Sequence, residues 1–437
     1  MIVRKIKAFF NFQPFSSKQL KVLTWWCADS PVKDYDGIIA DGAIRSGKTI
    51  SMALSYVIWA IETFNGQNFA LCGKTIGSFK RNVWFWLKLM LWSRGYHIDK
   101  FSEMGENVYI ISKGEISNIF YIFGGKDERS QDLIQGITLA GILFDEVALM
   151  PESFVNQATG RCSVDGSKFW FNCNPAGPMH WFKLSWIDKV IEKRIAYLHF
   201  TQEDNLTLSD KMKERYRNMY VGVFFKRYIL GLWVMAEGVI YSMFEQDMVI
   251  KKVPIGVKII NKWIGIDYGQ SNATTFILTG LGNDNKMYIL DEYYHSGKDS
   301  QIQKSPRQYS LDFKKWLVRC GVDGIPARHE RIFIDPSAKG FMLQLNEDGV
   351  GGVRQADNDV LRGIELISSL IASGNFRILE RCKETIKELN SYRWDEKAQE
   401  RGEDKPIKQY DHCLDGLRYV CNGTRKVWQR IVAQKSV

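Results

Sequence analysis

The sequence predicts an α/β fold in two halves, the first built on a parallel sheet and the second on a sheet that includes an antiparallel hairpin. Three observations carry this. Residues 42–49 read Gly-Ala-Ile-Arg-Ser-Gly-Lys-Thr, set between a short apolar run and a segment of helical spacing. Strand-like runs and helical stretches then alternate, the signature of a sheet with crossover helices. Beyond residue 260 the order becomes an acid-terminated strand, a hairpin, a later acid-terminated strand and a C-terminal helix.

Composition allows this. A chain of 437 residues is long enough for two or three domains, and 45% hydrophobic and 13% aromatic content supplies their cores. The excess of 59 Lys and Arg over 49 Asp and Glu gives a net charge of +10. That suits a polyanionic partner without specifying one. Eight cysteines are scattered with no C-x-x-C pair, which argues against a zinc ribbon or a disulfide framework and for reduced thiols in a cytoplasm. Met1–Phe10 is basic but lacks a secretory apolar core, and no run of eighteen apolar residues exists, so no membrane span is expected.

In the first half, Leu20–Trp26 reads as an apolar helix. A glutamine ahead of it can read an adenine edge with its paired donor and acceptor. Of Gln13 and Gln19, Gln19 is preferred because it adjoins the helix; a solvated glutamine is the alternative. Gly37–Asp41 reads as a buried strand and Ser51–Ala60 as a helix, so residues 42–49 have the strand–loop–helix context of a phosphate loop. Gly42 and Gly47, with Arg45 and Ser46 between them, would let backbone N–H groups turn inward on phosphate oxygens at a helix N-terminus. Lys48 would reach the β- and γ-phosphates of ATP, and the Thr49 hydroxyl would sit on Mg²⁺. Asn68–Gly73, Val108–Ser112 and Ile119–Phe123 read as further strands. Gly141–Glu146 is an apolar strand ending in two acids, the Walker B pattern. Asp145 would hold the Mg²⁺ shell and Glu146 would polarise the attacking water. Phe169–Pro175 ends in Asn172-Cys173-Asn174-Pro175, whose polar tip falls where a γ-phosphate sensor would lie, although Asn-Pro is also a frequent turn.

In the second half, Trp263–Gly269 is an apolar strand closed by Asp267. Thr274–Thr279 and Met287–Glu292 read as its antiparallel partners, and Arg331–Ser337 is a later strand ending in Asp335. Tyr410–Tyr419 reads as a helix with Asp411 and Asp415 one turn apart on one face and His412 three before Asp415. Acids from a first strand, a later strand and a C-terminal helix suit a ribonuclease-H-like core holding two divalent metals that activate water against a phosphodiester. Oxygen ligands favour Mg²⁺ or Mn²⁺ over zinc. Strand-end acids also cap turns, and Asp411 in a helix's first turn has a plain electrostatic use.

With these residues in order, the chain resembles the large terminase subunit of tailed bacteriophages over nearly its whole length. Gly42–Thr49 matches the packaging phosphate loop, with Arg45 inside it. Leu143–Glu146 matches its Walker B, and Asn172–Pro175 its coupling motif. Lys226–Trp233 followed by Glu237–Tyr241 resembles the join to the nuclease half. Asp267, Asp335 and Asp415 fall on that family's three nuclease acids, and His412 on a histidine found in some members. The resemblance implies an ATPase that pumps viral double-stranded DNA into a procapsid and an endonuclease that cuts concatemers. It implies ATP with Mg²⁺ at one site and two Mg²⁺ or Mn²⁺ at the other. It further implies a homo-oligomeric ring docked on the portal protein, DNA received from a small terminase subunit, and residence in the host bacterial cytoplasm and transiently on the procapsid, not in the mature virion. Arg161 is a guess for an arginine acting across subunits, and Glu292 is a possible extra metal ligand.

The expected domains are 1–245, with a small linker subdomain near 200–245 that includes the charged helix Asp210–Tyr220, and 261–437, joined through Gln246–Ile260. Trp394–Pro406 is a polar insertion ahead of the last acid-bearing helix. The competing reading is a DNA-dependent ATPase or helicase whose second half only binds DNA. Three converging acids discriminate against it, and Glu146 discriminates against a nucleotide that merely holds a fold.

Overall fold

The computed structural model describes residues 13–269, 272–321 and 327–434; the basic stretch Met1–Phe10 lies outside them. The chain forms two compact units. The first comprises Met1–Lys213, Val223–Met235 and Glu400–Glu403, and the second Glu214–Gly222, Ala236–Gln399 and Asp404–Val437. Among the described residues no helix is long and apolar enough to cross a membrane, and all eight cysteines are free thiols.

The first unit opens with α1 (Ser17–Thr24). Ser16 caps it, and Gln19 at the third position accepts a hydrogen bond from the Ser16 N–H, a reciprocal capping box. Strand β1 (Gly37–Gly42) leads through the glycine loop into α2 (Lys48–Thr63). There follow β2 (Asn68–Gly73), helix α3 (Phe85–Ser93), β3 (His97–Lys100), β4 (Val108–Lys113), β5 (Ile116–Gly124), β6 (Gly141–Asp145), β7 (Lys168–Asn172) and β8 (Ile195–Phe200). The sheet order is β3-β4-β5-β2-β6-β7-β1-β8. From β5 to β8 all pairs are parallel. β1 and β6 are buried along their whole length, as strands covered on both faces must be. On one face Trp59 and Tyr56 of α2 pack on Trp170; on the other Phe144 stacks on Phe171, centroids 5.2 Å apart, beside Phe182.

One feature departs from the expected parallel sheet, and one of its strands is not among those read from the sequence. The β3-β4-β5 edge is antiparallel. The two-residue turn at Gly114, φ +61°, leaves no room for the crossover a parallel pair needs. Strand β8 is the strand not read: only its two ends are buried, and His199 interrupts the apolar residues Ile195–Leu198 before Phe200.

Helix α4 (Asp210–Met219) has no buried residue, in keeping with its charged sequence. The second unit's sheet runs β14-β13-β10-β11-β12-β15-β9, formed by β9 (Val249–Ile250), β10 (Ile259–Asp267), β11 (Ala273–Gly282), β12 (Met287–Ser296), β13 (Arg331–Ile334), β14 (Val353–Gln355) and β15 (Phe376–Leu379). The β10-β11-β12 ribbon is antiparallel, and β13 joins β10 in parallel. The stretch 246–260 is more than a connector: it supplies the edge strand β9, paired with β15, and the start of β10. Helices α5 (Val360–Ala372), α6 (Lys383–Ser391) and α7 (His412–Gly423) belong to this unit. Helix α7 crosses β10 with backbones almost touching: a Cβ on Gly265 would lie 1.8 Å from the Gly416 carbonyl oxygen. Only glycine fits there. The polar insertion 394–406 is closed by a bridge between Trp394 and Pro406 and contains a short helix, Glu396–Glu400.

Candidate active sites

Parallel register assembles the first site. Strands β6, β7 and β1 are neighbours, and Asp145 pairs with Asn172, which pairs with Ala40 beside the phosphate loop. Their carboxyl ends open on a cavity of about 580 Å³ lined by Arg45, Ser46, Gly47, Lys48, Thr49, Asp145, Glu146, Asn172 and Asn174. Gly42 and Gly47 hold positive φ, and Arg45 adopts the left-handed region at φ 59°. The Lys48 ammonium is buried and donates to the carbonyls of Gly42 (3.0 Å) and Ala43 (2.7 Å) and to Asn174 Oδ1 (3.1 Å). Burial lowers its pKa to about 8. The Asp145 carboxyl is pushed up to about 7, by burial first and by Glu146 second. Asn172 Nδ2 donates to Asp145 Oδ1 (2.6 Å) and to Thr49 Oγ1 (2.8 Å), tying the loop to the Walker B strand. Glu146 leaves the strand at φ 61°. It is half-buried, and burial raises its carboxyl against the opposing charges of Lys74 and Lys48. A non-glycine residue held in that region at a cavity wall is strain of the kind found at working sites.

The other expected residues divide. Asn174 is at the site, on Lys48. Gln19 lies against the loop, its Nε2 3.5 Å from the Gly47 carbonyl, but its Oε1 is taken by the Ser16 N–H; in this structure its amide serves the α1 cap. Gln13 is exposed. Arg161 is not among the residues lining the cavity. Residues the sequence does not single out are Asn172 as the tie between Thr49 and Asp145, and Arg81, Asn82, Trp86 and Met90, which line the cavity from α3 and the turn before it. Asn172 is readable within its Asn-x-Asn-Pro motif; nothing in the sequence near Trp86 marks it.

The second site is built from β10, β13 and α7. Parallel pairing sets Ile266 beside Ile334, so Asp267 and Asp335 leave adjacent strands together. The Gly265–Gly416 contact brings the first turn of α7 over the same edge. Asp267, Asp335, Asp411, His412 and Asp415 line one cavity of about 500 Å³. His412 Nδ1 lies 2.8 Å from Asp267 Oδ2, and this bond raises the imidazole's pKa. Asp267 is itself raised, chiefly by burial, with repulsion from Asp415 and Asp335 adding to it and His412 opposing. Asp335 accepts from Ser337 N–H (2.6 Å), Tyr419 Oη (2.9 Å) and Asn358 Nδ2 (3.0 Å), and its net shift is downward despite burial. Asp415 is bonded to Arg418. Arg418 and Tyr419 follow Asp415 at helical spacing, the sequence signal by which they can be found.

The helix starts at His412, two residues later than expected. Asp411 is its N-cap, and Tyr410 before it sits at φ 53°. Asp411 therefore meets Asp415 through its carbonyl, which accepts the Asp415 N–H at 2.8 Å, and not as a helical partner on one face. The Asp411 carboxyl is raised to about 6, by burial first and Asp415 second. Glu292 is absent from the cavity lining. Its carboxylate accepts from the backbone of Glu384 and Thr385 and from the Thr385 hydroxyl, so in this structure it serves helix α6.

Among the described residues no three His, Cys, Asp or Glu side chains stand close enough to chelate a metal as they are. Internal donors hold each acid instead. The donor chemistry nonetheless suits a hard divalent cation: Asp267, Asp335, Asp411 and Asp415 share one cavity, and Asp267 feels Asp415 and Asp335 as unfavourable charge. Thr49 and Asp145, 3.4 Å apart, offer an equivalent oxygen pair in the first site.

Comparison with known proteins follows the same division. Residues 39–248 match the family model for the N-terminal part of the terminase large subunit of the T4-like virus type. Residues 267–422 match the model of the terminase RNase H-like domain. The large terminase of a thermophilic bacteriophage is 53% identical over 94% of this chain and 100% of that chain, with a TM-score of 0.88. The same protein solved with ADP (53%, 94% and 99%, TM-score 0.85) and with ATP-γ-S (52%, 94% and 99%, TM-score 0.85) is similar to it as well. No curated protein matches. With both halves matched and its sites at the expected strand ends, the chain belongs to the family of phage large terminase subunits, carrying an ATPase domain and an RNase H-like nuclease domain.

Proposed function

We propose that this chain hydrolyses ATP to drive viral double-stranded DNA into a procapsid and cuts concatemeric DNA with a metal-dependent endonuclease. The observation that carries the reading is the coexistence, in one chain, of a phosphate loop tied to a Walker B acid through Asn172 and a separate cavity with three converging aspartates. The thermophilic-phage relative, solved with ADP and with ATP-γ-S, supports nucleotide at the first site.

In the ATPase domain the loop N–H groups and Lys48 bind and orient the phosphates. Lys48 gives up its carbonyl partners and Asn174 to do so. Thr49 and Asp145 would hold Mg²⁺, which neutralises developing charge on the phosphoryl oxygens when bound. Glu146 orients the attacking water and accepts its proton, and burial, by raising its carboxyl, makes it the stronger base for that task. In the nuclease domain Asp267, Asp335 and Asp415 would hold two Mg²⁺ or Mn²⁺ ions, whose chemistry is to activate water and stabilise the leaving oxygen. His412 fixes the Asp267 carboxylate, and Tyr419 and Asn358 fix that of Asp335. Arg418 holds Asp415 until a cation competes for it.

The reading extends to a homo-oligomeric ring on the portal protein, DNA handed over by a small terminase subunit, and work in the host bacterial cytoplasm and transiently at the procapsid. The test uses the full chain with supercoiled plasmid. Cutting with Mg²⁺ or Mn²⁺ that stops on chelation is expected, alongside ATP hydrolysis. Cutting that persists in excess EDTA contradicts the metal-dependent mechanism.

A further inference from the structure

Two acids of the second unit lie outside the cavity and yet act on its geometry. Glu292, on β12, receives the N–H groups of Glu384 (2.8 Å) and Thr385 (2.9 Å) and the Thr385 hydroxyl (2.7 Å). These N–H groups are the open donors at the start of α6. One turn further along the same helix, Glu388 is 2% exposed, and its Oε2 accepts the Leu414 N–H at 3.0 Å. That donor belongs to the first turn of α7, between His412 and Asp415. A third tie comes from β11, where the Thr275 hydroxyl donates to the His412 carbonyl at 2.9 Å.

Each carboxyl group thus accepts at a helix N-terminus, where the N–H groups lack partners within their own helix; burial raises both, Glu388 to about 8, so the Glu388 link is a buried hydrogen bond and not a charge pair. The two are in series: β12 holds α6, and α6 holds α7. The second link is buried, so water is a poor substitute for it. We propose that Glu292 and Glu388 form a positioning relay that fixes the first turn of α7, and with it His412 and Asp415, against Asp267. The proposal rests on the nuclease reading of the three aspartates, and it gives Glu292 a role other than that of a metal ligand. Neither glutamate touches the reacting atoms.

Hydrogen exchange on the full chain tests the relay without reference to cutting. Glu388→Ala should speed exchange across 412–416 about tenfold, because it leaves the buried Leu414 N–H without its acceptor. Glu292→Ala should speed exchange at 384–386 and also at 412–416. Glu388→Gln keeps an acceptor oxygen for the Leu414 N–H and should recover most of the protection. Mn²⁺ titration read by electron paramagnetic resonance should show affinity weakened about tenfold in Glu388→Ala and recovered in Glu388→Gln, with ATP hydrolysis unchanged. Should Glu388→Ala not fold, Thr385→Val removes one of Glu292's three donors, and a rise of about threefold at 412–416 is expected. Wild-type exchange at 412–416 in Glu388→Ala, or in Glu292→Ala, overturns the relay. A wild-type chain that takes up no Mn²⁺ and cuts no DNA refutes the nuclease reading instead, and the exchange data still decide the relay.

Discussion

Asn172→Ala is the sharpest perturbation of the ATPase site, because one amide nitrogen there serves two functional groups. Its Nδ2 donates at 2.6 Å to Asp145 Oδ1 and at 2.8 Å to Thr49 Oγ1. Asp145 is 7% exposed, so its carboxylate loses this donor with little water to replace it. A hydrogen bond to a charged group contributes about 1.5–3 kcal/mol, so kcat/KM for Mg·ATP should fall about 10- to 100-fold. The pH dependence has a definite sign. Burial already lifts Asp145 to about 7, and the Asn172 bond opposes that rise. Without it the pKa rises further, so the active carboxylate form is reached only at higher pH. The acid limb of the kcat/KM profile, which reports the free enzyme, should move upward by about one unit or more. A profile with an unmoved limb and kcat/KM within about twofold of wild type would refute the argument that Asn172 holds the Walker B acid in its working state.

Further expectations follow from the same geometry. Burial lowers Lys48 from 10.5 to about 8, so between those values the unfolded chain binds a proton that the folded chain lacks, and stability rises with pH across that window. At pH 7 the buried charge costs the nucleotide-free fold roughly 3 kcal/mol, part of which the four hydrogen-bond acceptors of Lys48 would reclaim on its removal. Lys48→Met should therefore abolish hydrolysis yet stabilise the empty protein by about 1–3 kcal/mol in urea unfolding at pH 7, with the gain vanishing above pH 10.5; a less stable variant contradicts this. Gly265→Ala drives a methyl into the Gly416 carbonyl and should destabilise the nuclease domain by about 1–3 kcal/mol or more, lowering cutting while ATP hydrolysis persists; a wild-type melting profile would count against the close crossing. His412→Ala removes the Asp267 partner and should lose more cutting in Mn²⁺ than in Mg²⁺, since imidazole is the softer ligand; equal loss in both metals assigns His412 to orientation alone.

Much of this is legible in the residues, for physical reasons. The phosphate loop and the acid that ends β6 follow buried parallel strands, and the acids that end β10 and β13 follow strands buried near their carboxyl ends; such segments read as apolar runs with polar tips. Helix α7 is recognisable, but the sequence starts it two residues early. Tyr410 and Asp411 look helical by composition, and only the φ of +53° at Tyr410 breaks the helix there. Strand β3 escapes the sequence because it is an exposed edge strand with no apolar run, and β8 because its place in the sheet is set by pairing with β1, far back along the chain. Gln19 draws attention as an adenine reader, whereas the capping box at Ser16 gives it a local partner that spacing alone also suggests. Glu292 invites a metal role by closing the apolar run Met287–Glu292, although β12 continues to Ser296. Its three donors come from residues more than ninety positions later, which no local pattern reveals.

The central claim is that two chemistries occupy two separate sites in this chain, and a crossed pair of variants tests it most directly. Glu146→Gln and Asp267→Ala in the full chain are each assayed for ATP hydrolysis and for metal-dependent plasmid cutting. Glu146→Gln should still bind nucleotide and cut DNA but lose hydrolysis by several powers of ten if chemistry limits the rate. Asp267→Ala should hydrolyse ATP at the wild-type rate and bind DNA as well as or better than wild type, yet leave the plasmid uncut. Near-normal hydrolysis in Glu146→Gln, or retained cutting in Asp267→Ala, would contradict the account.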